Sequence, residues 1–249
     1  AREIGSDVDP DVVFAARRGL QTAVGGRHGT VLAETYRRMI TPGPYQPDAQ
    51  SAGRRALKNV CLSLLATTAT PEAIARAFAQ YRDANNMTDR IAALETLAMH
   101  DRPERPDALA DFYERFADDP LVIDKWFALQ AMIPEPATLD RVRTLTKHPA
   151  FSAANPNRIR ALIGAFAQGN HTQFNRRDGS GYDFIADFVL ELDPKNPQVA
   201  ARLMGAFRSW RALEAERRRR AEATLRRVAA AQSLSRDVND IVARTLADT

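Results

Sequence analysis

Residues 119–170 read DPLVIDKWFALQAMIPEPATLDRVRTLTKHPAFSAANPNRIRALIGAFAQGN, and this stretch decides the fold class. Val122, Trp126, Leu129 and Ile133 recur at the spacing of one helical face, and Ile159, Leu162, Ile163 and Phe166 do the same. Two helix starts bracket the first run and open the second. In Asp119-Pro120 and Asn155-Pro156 a short polar side chain can accept from the free N–H groups of the first turn. The proline after it loses nothing, because its missing donor would be unpaired there anyway.

Working outward, the same grammar covers the chain. Leu57, Val60, Cys61, Leu64 and Leu65 form one apolar face, and Leu109, Phe112, Tyr113 and Phe116 form another. Val199, Leu203, Ala206, Phe207 and Trp210 form a third. Further starts stand at Asp9-Pro10, Thr70-Pro71 and Asn196-Pro197. Stops are marked by Gly169-Asn170 and by the turn Asp178–Gly181, whose Ser180 is expected to cap the next helix. No alternating strand or hairpin pattern competes. The patterns predict helices at about 10–23, 28–40, 48–67, 71–84, 88–99, 103–117, 120–133, 136–147, 156–168, 181–192, 197–216 and 217–246, with a break allowed in the last.

The intervals Pro120 to Pro156 and Pro156 to Pro197 each hold two helices and two short loops. Helix pairs recurring at roughly 35–45 residues predict an all-α, HEAT/armadillo-like superhelical array of antiparallel helix pairs. A single domain over 1–249 is expected, with a hinge loop near 41–47 where prolines and glycine cluster.

Composition narrows the function. The chain has 249 residues, 45% hydrophobic and 27% charged, which is ordinary for a globular protein. No apolar run approaches the roughly 20 residues that span a bilayer, so no membrane partner is expected. Cys61 is the one cysteine and sits in an apolar stripe, predicting a buried, inert thiol. The chain opens at Ala1 and reaches its first methionine at Met39, which leaves room for a longer polypeptide.

The four histidines, His28, His100, His148 and His171, lie far apart without the His-Glu-x-x-His spacing that puts two zinc ligands on one helical face. No metal site is expected within this chain. No nucleophile elbow, papain-like signature or phosphate loop is present either.

Net charge is only +4, from 35 basic and 31 acidic residues. The run Arg217–Arg220 could neutralise phosphates. Glu214, Glu216 and Glu222 flank it within salt-bridge reach, so a solvated helix face is the preferred reading and no nucleic-acid partner is expected.

Arg160 lies five positions after Asn155 and Arg202 six after Asn196, both one to two turns into their helices. If successive repeats align, both guanidiniums face one concave surface, where they and the helix N-termini suit a carboxylate such as a peptide C-terminus. Pairing with local Asp or Glu as interhelix staples is the competing reading.

Several long stretches resemble the bacterial aminopeptidase N family, zinc alanyl aminopeptidases with a thermolysin-like catalytic domain. They are IGSDVDPDVVFAARRGL (4–20), YQPDAQSAGRRALKNV (45–60) and NMTDR (86–90), then ALADFYERFADDPLVIDKWFALQA (108–131). They continue with HPAFSAANPNRIRALIGAFAQGN (148–170), DGSGYDFIADFVLELD (178–193) and NPQVAARL (196–203). The resemblance covers nearly the whole chain. It implies a C-terminal helical domain that closes over a catalytic domain and helps hold the distal end of short peptides. By motif, that role falls to Arg160 in NPNRIR and to Gln198 and Arg202 in NPQVAAR. The family's HExxH zinc motif and GAMEN-type motif are absent here, so no residue is assigned a catalytic role, and the zinc is expected in the parent's catalytic domain.

The resemblance further implies that the partners are that catalytic domain, in the same polypeptide, and peptide substrates, in a monomeric cytoplasmic protein. The isolated chain is expected to be inactive. A free-standing helical-repeat adaptor is the alternative function.

Overall fold

The computed structural model describes residues 5–247, so Ala1 and Ile4, which entered the sequence reading, lie outside the described residues. The described chain is helical throughout. Its single β-type feature is an isolated parallel bridge between Val8 and Leu213. The residues fall into two compact bodies, one formed by the segment to Val13 together with Pro120 onward, the other by Phe14–Asp119.

The Phe14–Asp119 body contains most of α1 (Pro10–Arg27), then α2 (Gly29–Arg38), α3 (Ala49–Ala66), α4 (Pro71–Asp83), α5 (Met87–Ala98) and α6 (Glu104–Phe116). The caps expected from sequence operate where Thr70 accepts from the N–H of Ala73, and Asp48 and Asn86 cap α3 and α5 in the same way. Leu62, Ile74, Ala77, Leu94, Leu97 and Phe112 form the core. α3 packs on α2, α4 and α5.

A buried polar network crosses this core. Lys58 Nζ lies 2.7 Å from Asp89 Oδ2, while Asn59 donates to Asp89 Oδ1 at 3.1 Å. Gln80 donates to Asn59 and to the Asp89 carbonyl, and Tyr36 donates to Gln80 at 3.0 Å. Satisfying both carboxylate oxygens is what makes a charge tolerable at this depth. The 41–47 loop joins α2 to α3, which pack on each other inside this one body.

The other body contains α7 (Pro120–Ala131), α8 (Thr138–Leu145) and α9 (Pro156–Ile159). α9 continues through a π turn at Arg160–Gly164 into α10 (Ala165–Gly169). Then come α11 (His171–Phe174), α12 (Ser180–Leu192), α13 (Pro197–Met204), a 3₁₀ segment at Gly205–Ala212, α14 (Ala215–Ala229) and α15 (Arg236–Leu246). Phe127, Ile163, Phe166, Tyr182, Phe207 and Leu225 are almost fully buried. Phe174 meets both Tyr182 and Phe207 edge-on at centroid distances of 5.2 Å, a favoured aromatic geometry. Asn170 Nδ2 reaches the carbonyls of Ala131 and Ile133, tying the end of α7 to the start of α11.

Two local expectations change, while the break allowed in the 217–246 helix is present near Ser233, whose φ is +68°. The 197–216 helix gives way to a 3₁₀ segment after Met204. Ser180 does not cap α12: it is the first helical residue, Gly179 at φ +80° holds the cap position, and Ser180 gives both its N–H and its hydroxyl to Asp178. Gly181 is required because a Cβ there would stand 2.3 Å from the Phe174 carbonyl, so only glycine lets α12 approach α11 this closely.

The largest departure is Arg217. In place of a solvated face, its side chain is fully buried. Its Nη1 lies 3.0 Å from Asp9 and 3.3 Å from Glu214, its Nη2 2.5 Å from Asp11, and its Nε donates to the Asn175 carbonyl. Val8 N–H donates to the Ala212 carbonyl beside it, and Glu214 N–H returns a bond to Val8. Arg219 and Arg220 are paired with Glu216 as the sequence suggested, whereas Glu222 pairs with Arg226 outside the run.

Candidate functional site

The NPNRIR segment sorts its two arginines by helical phase. Asn155 caps α9, accepting from Asn157 N–H at 2.9 Å and from Arg158 N–H at 3.3 Å. Arg158 points inward and is buried. Its guanidinium lies 5.1 Å from the Phe127 ring centroid and 3.3 Å from Asp124 Oδ1. Two residues on, near the opposite side of the helix, Arg160 is exposed. Its Nη1 donates to Asn157 Oδ1 at 3.2 Å.

Arg160 also opens the π turn, whose wider ring displaces the helix surface locally and which recurs at functional sites in proteins. Ile159, Leu162, Ile163 and Gly164 are buried around it, so the turn is fixed from within. The sequence reading singled out Arg160 but missed Arg158 as its anchor. The signal available was the pair of arginines either side of Ile159, which a helix must send in different directions.

α13 presents the other two residues. Asn196 caps it, accepting from Val199 N–H at 3.2 Å. Ala200, Leu203 and Met204 are buried, whereas Gln198 and Arg202 are exposed and one turn apart, so they share a face. Gln168 of α10 donates to the Arg202 carbonyl at 3.5 Å, bringing α13 beside the segment that begins with α9. Arg160 sits two turns before Gln168, roughly 12 Å of helical rise from that contact. Neither Arg160 nor Arg202 has a carboxylate in salt-bridge range among the described residues, so the interhelix-staple reading of these two does not hold.

His148 is held below the usual imidazole range by burial and then by the charge of Arg158. Its Nδ1 accepts from Ala150 N–H, and its ring lies against Trp126 and Phe127. Among the described residues no three His, Cys, Asp or Glu side chains gather to hold a metal ion. Cys61 is buried, and burial pushes its thiol up, the environment of an unreactive cysteine. No helix among the described residues is long and apolar enough to cross a membrane.

These features define a helical-repeat domain that presents exposed basic residues on α13 and at the π turn after α9. Residues 1–247 match the family described as "Domain of unknown function (DUF3458_C) ARM repeats", and the chain belongs to that family. It is similar to aminopeptidase N of Caulobacter vibrioides, with 38% identity over 96% of this chain and 28% of that protein. The aminopeptidase N of Haemophilus influenzae is 36% identical over 96% of this chain and 27% of its own length. That of Escherichia coli is 34% identical over 98% and 28%. The crystal structure of Legionella pneumophila aminopeptidase A in complex with aspartic acid superposes with a TM-score of 0.88 at 29% identity. It covers 98% of this chain and 29% of that one. The chain therefore spans a little over a quarter of the curated relatives it matches, and corresponds to their C-terminal helical domain.

Proposed function

We propose that this chain is the non-catalytic C-terminal domain of a zinc-dependent aminopeptidase N, capping the chamber in which N-terminal residues are removed from peptides. In this reading residues 1–249 act as one domain, and their partner is a catalytic domain in the same polypeptide. The observation that carries it is the match of nearly the whole chain to aminopeptidases N that are several times longer. Zinc in the catalytic domain supplies activated water. This chain's residues restrict access and hold the distal end of the peptide. Arg160, Gln198 and Arg202 are the residues proposed to meet that end, and their exposure without a neutralising carboxylate supports the assignment. A guanidinium in that state can pair with a peptide C-terminal carboxylate. The protein is proposed to act as a cytoplasmic monomer, a setting with which the unpaired Cys61 agrees.

The test compares the isolated chain with the complete polypeptide. The chain alone is expected to hold no stoichiometric zinc and to leave an alanyl chromogenic substrate intact. In the complete polypeptide, Arg202→Ala is expected to raise KM for peptides with a free C-terminus while leaving KM for alanyl p-nitroanilide unchanged. An equal effect on both substrates would remove Arg202 from the peptide site.

A further inference from the structure

α1 turns one stripe of residues toward the end of α3. Thr22 donates to the Thr67 carbonyl, and Thr67 Oγ1 returns a bond to the Gln21 carbonyl at 3.2 Å. Gly25 lies so close to the Leu64 carbonyl that a Cβ would stand 2.3 Å from it. Arg18 precedes Thr22 by four positions and Gly25 by seven, so it belongs to the same stripe. It is half-buried, and burial lowers its guanidinium from the ordinary value. No hydrogen bond or ion pair reaches it among the described residues.

The segment between α5 and α6 meets the same turn. Arg102 Nη2 donates to the Ala69 carbonyl at 3.4 Å, and Arg102 N–H donates to the His100 carbonyl at 3.0 Å. His100 is only 8% exposed, and no hydrogen bond within the described residues reaches its ring. Burial, then the charges of Arg18, Arg102 and Arg105 in that order, hold its imidazole below the usual range, so these cations converge on it.

Carboxylates do not answer this charge. Asp101 pairs with Arg105 at 2.7 Å, which leaves Arg18 and Arg102 without a counter-ion. Glu104, half-buried at the start of α6, keeps one carboxylate oxygen buried without a hydrogen bond and pairs with neither of them. Pro103, in the N-cap position of α6, offers the first-turn N–H groups no side-chain acceptor.

A partly desolvated cation without a partner is costly, and two that face one imidazole also repel each other. One bound anion removes both costs. Guanidiniums present forked N–H donors that match phosphate oxygens, and a neutral imidazole adds one more donor. Two uncompensated charges suit a dianion better than a singly charged carboxylate.

We infer that Arg18, His100 and Arg102 form a binding site for a phosphate dianion, free or carried by a phosphomonoester. The site lies wholly in the Phe14–Asp119 body and is independent of the peptide-binding role proposed above.

Calorimetric titration of the full chain with inorganic phosphate, at an ionic strength fixed by sodium chloride, tests the site. Saturable binding is expected. Arg18→Gln and Arg102→Gln should each weaken it about tenfold or more, the loss of one charge-assisted contact. Arg218→Gln, an exposed change on α14, should leave it unchanged. Phosphate should also shift the ring resonances of His100, identified through His100→Asn, which a purely structural Arg18 would not produce. Circular dichroism is the folding control, and if Arg18→Gln unfolds the chain, Arg102→Gln at an exposed residue carries the test. Glycerol phosphate binding as well as inorganic phosphate would assign the site to phosphomonoesters, and its exclusion would assign it to the free anion. Absence of saturable binding, equal affinity for acetate, or an affinity that neither arginine variant changes would overturn the site.

Discussion

Arg217 at the start of α14 and Arg202 on α13 belong to the same compact body, yet the fold treats them in opposite ways. Arg217 stands in the most basic run of the sequence and is wholly enclosed by Asp9, Asp11, Glu214 and the Asn175 carbonyl. Arg202 stands in an unremarkable stretch and is left exposed, with no carboxylate in salt-bridge range among the described residues. Density of charge along a sequence is thus a poor guide to which cations are available for a ligand. The supply of carboxylates in space decides it.

The sharpest way to break this contrast is Arg217→Ala. It takes Arg217 from Asp11 and Glu214 and leaves Asp9 with Arg177 alone, and removing one partner of a buried ionic cluster costs about 3–5 kcal/mol. Urea unfolding should show a loss of that size. A loss below about 1 kcal/mol would mean that Arg217 does not fasten the Val8 segment to Leu213.

Gly181→Ala comes next, with a loss of about 1–3 kcal/mol by the same measurement, because α11 and α12 must separate to admit a methyl group. Acid should then divide the two bodies.

In the Phe14–Asp119 body, His100 is held below the usual imidazole range by burial and then by Arg18, Arg102 and Arg105. The neutral imidazole is thus the folded form, and its contribution declines as pH falls below the unfolded value of about 6.5. In the other body, burial alone would raise Asp9, but bonds from Arg177 and the Asp11 N–H and the charge of Arg217 hold it below its ordinary value. That contribution is complete above an ordinary carboxylate pKa and is lost only as pH falls through the lower folded one. Hydrogen exchange between pH 7 and 3 should therefore show protection falling first around His100 and later around Val8–Asp11. Simultaneous loss would contradict the assignment.

The smallest expected effect is on the exposed pair. Arg160→Ala and Arg202→Ala should each change unfolding free energy by no more than about 0.5 kcal/mol, as exposed substitutions do. A larger loss at Arg202 would mean that it is a structural residue.

Much of the fold could be read from residues close together in sequence. Asn155 and Asn196 before their prolines announced α9 and α13, and both cap as expected. The apolar spacing from Val122 to Ile133 gave α7. Where the reading slipped, the competing term was also local but weaker in pattern. The four-residue α11 is too short to show a period, and the 3₁₀ segment keeps the apolar residues Phe207 and Trp210 that a longer α-helix would also use. The π turn left no mark either, because nothing in RALIG distinguishes it from ordinary helix. Of the proposed site, the residue types and their exposure were legible, while the inward anchoring of Arg158 on Phe127 and Asp124 was not.

By itself the sequence determined an all-helical chain, the starts of most helices and the family to which they belong, since caps and periodicity act over a few residues. Tertiary structure alone decided which arginines remain free. Arg217 meets Asp11 across 206 positions of sequence, and an encounter at that separation is set by how the helices pack, which no neighbouring residue encodes.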